Sequence, residues 1–93
     1  MISIAEAREW LRLDNTDNDE IIEELLAAIP SYIELSTGLK QIDQEAVPLV
    51  NTVSKFLLTL WYNAEQAEAD KLQRTIDSLL KTLTLQAREY NEL

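Results

Sequence analysis

The sequence predicts an all-α protein, and three observations carry that prediction. Glycine occurs once and proline twice in 93 residues, too few turn formers for an all-β fold. Leucine, alanine, glutamate and glutamine, all good helix formers, abound. Apolar positions recur at intervals of three and four along most of the chain, the period of helices that bury one face. Apolar residues make up 46% of the chain, enough for one packed core and, at this length, too little for two. The expected architecture is a single domain over 1–93, a compact bundle of about four helices at 4–12, 17–37, 46–63 and 68–90.

The first helix opens at a capping box. The Ser3 hydroxyl can accept the backbone N–H of Glu6 while the Glu6 carboxylate reaches back to the N–H of Ser3. Ala7, Trp10 and Leu11 then fall on one side. A helix this short is marginal alone, so Trp10 is expected to dock it on the rest of the domain. The polar stretch "LDNTDNDEII" follows. As a calcium loop it would offer oxygens from Asn15, Asp17 and Asp19, but Glu20 stands where the loop needs glycine and Leu26 where it needs an acid. It reads better as a helix start, with Thr16 or Asp17 as the cap. Asp17, Asp19, Glu20, Glu23 and Glu24 then sit near a positive helix N-terminus.

The second helix carries the strongest period: Ile21, Ile22, Leu25, Leu26, Ile29, Tyr32, Ile33 and Ser36 form one continuous face. Pro30 deletes a hydrogen bond to the Leu26 carbonyl, so a kink is expected there. Gly38 is placed to close the helix in a left-handed conformation. Residues 39–45 read as a loop. Pro48 suits the first turn of the third helix, whose wide face of Leu49, Val50, Val53, Phe56, Leu57, Leu60, Trp61 and Ala64 marks it as the central, buried one. Trp61 continues that stripe, while Tyr62 lies at its edge with a hydroxyl free for water, a neighbour or a partner.

The polar segment Asn63–Asp70 either breaks the third helix or extends it. Leu72, Ile76, Leu79, Leu80, Leu83, Ala87 and Tyr90 form the stripe of the fourth helix, and Leu85 falls off it. Residues 84–93 are a weakly apolar tail, either frayed or ordered by a partner.

No chemistry-bearing constellation stands out. Cysteine and histidine are absent, which removes thiolate chemistry and the commonest metal ligands. Ser3, Ser31, Ser36, Ser54 and Ser78 therefore have no histidine to activate them, and no glycine-rich phosphate loop is present. The chain is expected to be no enzyme and to need no cofactor or metal. No apolar run approaches the roughly 20 residues of a membrane helix, so no membrane association is expected.

Charge is the remaining clue. The net charge is −9, and residues 1–45 hold eleven acids against three bases while 46–93 hold six against five. Such a chain repels a phosphate backbone and suits either a basic protein partner or the wall of a passage for DNA.

The order of these features resembles the phage head–tail connector family. The resemblance rests on "ISIAEAREWLRLD", the acidic "TDNDEIIEELLAAI", "YIELSTGL" closing at its glycine, and "FLLTLWYN", and it spans roughly residues 2–83. It implies a non-enzymatic virion protein of the head–tail junction, assembled in the host cytoplasm. Such a protein forms a homo-oligomeric ring under the portal, joins it to the next head-completion or tail protein, and lets DNA pass without specific binding. The loop after Gly38 is shorter than in many relatives, and Lys81 and Arg88 stand where a basic motif usually ends the domain. Candidate residues for the ring or partner interface are Asp17, Asp19, Glu20, Glu24, Tyr62, Leu85 and Tyr90. The alternative is an acidic helical adaptor or inhibitor that covers a basic site on another protein.

Overall fold

Among the described residues five helices follow one another: α1 (Ile4–Trp10), α2 (Asp19–Thr37), α3 (Gln41–Gln44), α4 (Pro48–Asn63) and α5 (Gln66–Asn91). The computed structural model describes residues 2–63 and 66–92. Ala64, the last position of the predicted α4 stripe, lies outside them. Glu65 lies outside them as well, so the point at which the polar segment Asn63–Asp70 would break or extend the helix falls outside the described residues.

Helix α1 begins as the capping box requires, with the Glu6 N–H donating to Ser3 Oγ at 3.1 Å and the Ser3 N–H to Glu6 Oε1 at 3.4 Å. It ends two residues earlier than predicted. Arg12 adopts φ +59, and the N–H groups of Arg12 and Leu13 turn back to the carbonyls of Glu9 and Arg8. This closure is usually made by glycine, and here an arginine makes it. Ala7, fully buried, sets the approach of α1 to the bundle. Trp10 docks α1 on α4 as expected, at the rim of the bundle, 42% exposed. Its ring lies 6.3 Å from that of Phe56, its Nε1 donates to Thr59 Oγ1 at 2.7 Å, and Lys55 Nζ sits 5.4 Å from its centroid.

Helix α2 starts at Asp19, two residues after the predicted start at 17. The N-cap position is Asn18; its side chain makes no capping bond, and its amide N–H donates to Tyr62 Oη at 2.6 Å. The helix continues through Pro30. It buries Ile22, Ile29 and Ile33, but Ile21 is 54% exposed and Ser36 is exposed, so the true core face is narrower than the predicted stripe.

Gly38 closes α2 at φ +82, as predicted, and its N–H donates to the Glu34 carbonyl at 2.8 Å. A Cβ here would meet nothing closer than Asn91 Nδ2 at 3.8 Å. The cost of a side chain is therefore the left-handed backbone alone, about 1–2 kcal/mol. Gly38→Ala should lower the melting temperature by several degrees, and Gly38→Asn by less, since asparagine tolerates this conformation. A thermal melt of both variants checks the ranking.

The segment predicted as a loop, 39–45, contains the short helix α3. Its turn is held from outside. The Gln41 N–H donates to Glu34 Oε1 at 3.1 Å, and the buried Gln44 amide donates to the carbonyls of Pro30 and Leu39 at 2.9 and 3.1 Å. These partners lie on α2 and in the α2–α3 connection, where apolar periodicity carries no information.

Helix α4 is central, as its wide face predicted: it packs against α1, α2 and α5, and α2 and α5 also touch each other. Val53, Leu57 and Leu58 of α4 are buried with Ile22 and Ile33 of α2 and Ile76 and Leu83 of α5. Trp61 meets Tyr32 edge to face at 5.2 Å. The directions follow from two contacts at the ends. Asn18, at the start of α2, meets Tyr62, near the end of α4, so these helices are antiparallel. Asn91, at the end of α5, donates to the Gly38 carbonyl at 3.2 Å, so α5 runs parallel to α2. The result is a slab of 43 × 28 × 17 Å, whose long axis is set by the 26 residues of α5, about 39 Å at 1.5 Å per residue.

Candidate interaction surfaces

The acidic start of α2 gathers four of the predicted interface residues at one end of the slab. Asp17 is exposed, and its N–H donates to Asn15 Oδ1 at 3.1 Å, so that carbonyl oxygen stabilises a turn. Asp19 turns inward: its Oδ2 pairs with Arg8 Nη1 at 2.6 Å, with both side chains about three-quarters buried. Glu20 and Glu24 are exposed. Tyr62 arrives at the same end through its bond to Asn18.

Leu85 and Tyr90 lie towards the other end, because α5 finishes beside Gly38. Helix α5 continues to Asn91 with Ala87 buried and Tyr90 half-buried against the core. Leu85 faces away from the core, 61% exposed. The structure therefore brings Asp17, Asp19, Glu20, Glu24 and Tyr62 together and places Leu85 and Tyr90 apart from them.

Arg8–Asp19 is the one ion pair among the described residues. It ties α1 to the first turn of α2, where the carboxylate also faces the positive helix end. Asp19 Oδ1 is buried and has no protein partner. Truncating Arg8 strands that carboxylate, so Arg8→Ala is expected to cost about 1–2 kcal/mol, after discount for its partial exposure. Denaturant unfolding at low and high salt checks both the size and a partial loss of the effect on screening.

Three further features escaped the sequence reading. Leu35 and Ile42 are almost wholly exposed, at 88% and 87%; each is a single apolar residue off a predicted stripe, with no pattern to flag it. A groove of about 390 Å³ opens between α2, α3 and α4, lined by Leu26, Ile29, Pro30 and Val50 with Ile42 at its lip. It exists only because α3 folds against α2. The third feature is a charge asymmetry between outer faces. Helix α2 carries five acids and no base, whereas α5 mixes the signs, with exposed Lys71, Arg74, Lys81 and Arg88 beside exposed Glu68, Asp70, Asp77 and Glu89.

The described residues hold no group of three Asp or Glu side chains arranged to bind a metal ion, and no described helix is long and apolar enough to cross a membrane. What the molecule presents is charged and apolar helix faces on a helical bundle. The family model for phage gp6-like head-tail connector proteins matches residues 1–91. The chain belongs to that family of structural phage proteins. No curated protein sequence matches the chain, and no solved structure does.

Proposed function

We propose that this protein completes the phage head by forming a homo-oligomeric ring beneath the portal, where it joins the DNA-filled head to the next head-completion or tail protein. Membership of the connector family across residues 1–91 carries this reading. The fold supports it physically. Helices α2, α4 and α5 pack into one block around Leu57 and Ile33, while α2, which carries no base, turns Glu20, Glu23 and Glu24 outward. A wall of that charge holds the DNA backbone off and lets it slide. The protein would then meet the portal in the host cytoplasm during assembly and end at the head–tail junction of the virion.

Co-expression with the cognate portal, followed by electron microscopy of the purified complex, tests the proposal. Added density on the tail-facing end of the portal is expected. A bare portal, with this protein folded and present in excess, would reject it.

A further inference from the structure

We infer that the groove between α2, α3 and α4 receives a short extended segment of the portal, one carrying an apolar side chain with a lysine or arginine beside it. This rests on the portal contact proposed above and names the surface that makes it. The groove holds about 390 Å³, the size of a site that accepts a compact ligand. Ile29 and Val50, 3% and 7% exposed, give it an apolar floor. Val50 belongs to the first turn of α4, which runs antiparallel to α2, so the groove lies towards the Gly38 end of the slab. Glu20 and Glu24 sit at the other end of α2 and on another side of it than Leu26 and Pro30. They stay open when the groove is filled.

Ile42 decides between a small molecule and a chain. It stands at the lip, 87% exposed, and a compound sunk in the groove would leave it in water. A polypeptide passing over the lip covers Ile42 while it lowers one side chain onto the floor. The groove also offers a polar grip suited to a backbone. Gln44, 6% exposed, lines it. The Gln44 amide nitrogen uses both hydrogens on the carbonyls of Pro30 and Leu39. Its Oε1 accepts no hydrogen bond from the described residues and is left for an entering N–H.

Charge names the kind of chain. Glu45 lines the groove, Asp43 lies on α3 beside it, and the Glu34 carboxylate accepts the Gln41 N–H at 3.1 Å. Against these acids α3 and its flanks set only Lys40. The nearest base on α4, Lys55, turns to the Trp10 ring. A segment with a base beside its apolar side chain is therefore attracted, and an acidic one is repelled. A second copy fits less well. The best it could offer is Leu85, which has Lys81 and Arg88 within a turn but Glu89 as well. Leu85 also lies inside α5, whose backbone N–H groups are bonded within the helix, so it brings none to Gln44.

Photo-crosslinking and substitution at the lip test the assignment. Protein with p-benzoylphenylalanine in place of Ile42 is co-expressed with the portal and irradiated, and mass spectrometry identifies the joined peptide. Ile42→Asp, Ile42→Leu and Glu45→Lys are co-expressed in the same way beside the unaltered protein. Circular dichroism confirms folding, and native mass spectrometry counts copies per portal. The crosslink is expected on a portal segment with lysine or arginine next to an apolar side chain. Ile42→Asp should lower occupancy at least about tenfold and Glu45→Lys about threefold, while Ile42→Leu loads normally. With the unaltered protein loading, a crosslink to another copy, one to an acidic segment, or none at all overturns the groove contact and leaves the head–tail role standing. So does folded Ile42→Asp or Glu45→Lys protein that loads normally. An unaltered protein that never loads overturns that role and the groove contact with it.

Discussion

Leu57→Ala is expected to lower the unfolding free energy by about 3 kcal/mol, the middle of the range for removing a buried leucine. Leu57 is 1% exposed and sits on α4, the helix that touches α1, α2 and α5. Truncation there removes contacts to several helices at once. The neighbouring side chains cannot collapse into the gap without moving a second helix, so both the transfer term and the cavity term apply. A domain of this size has only about 5–10 kcal/mol in total, and the melting temperature should fall by roughly 12–20 °C. Leu85→Ala, the same change on the exposed side of α5, should leave stability within about 0.5 kcal/mol. Chemical denaturation of the two variants makes the comparison. Similar losses for both would mean that α5 is not oriented as described.

The difference between those two leucines shows what could be read from residue order. Leu57 falls on a stripe of period 3.6 and Leu85 falls off one, and both ended where the period put them. The same holds for interactions confined to a few neighbouring residues, as in the Ser3–Glu6 box and the Gly38 closure. Prediction failed wherever a distant group took over a local role. The cap position fell on Asn18, whose side chain is tied to Tyr62, 44 residues away, and makes no capping bond. Gln44 reaches Pro30 and makes a helix out of an expected loop.

The candidate surface divides in the same way. The acidic start of α2 was visible as composition. That Asp19 is tied to Arg8 and that Tyr62 joins this end are products of helix packing.

Pro30→Ala is expected to stabilise the isolated protein by about 2 kcal/mol. Inside a helix, proline is about 3 kcal/mol less favourable than alanine, since it lacks the N–H and crowds the carbonyl four residues before it, here that of Leu26. Alanine restores that donor. It also frees the unfolded chain, which takes back about 0.4–1 kcal/mol, and the remainder should raise the melting temperature by roughly 10 °C. The gain is largest if α2 can straighten with Ile29 and Ile33 still buried. A loss of stability instead would mean that those isoleucines, and the Gln44 bond to the Pro30 carbonyl, need the shape that proline imposes. Loading onto the portal then separates fold from function. Pro30 lines the groove between α2 and α4, so a variant that melts higher yet loads poorly would place the benefit of proline in that groove and outside the core.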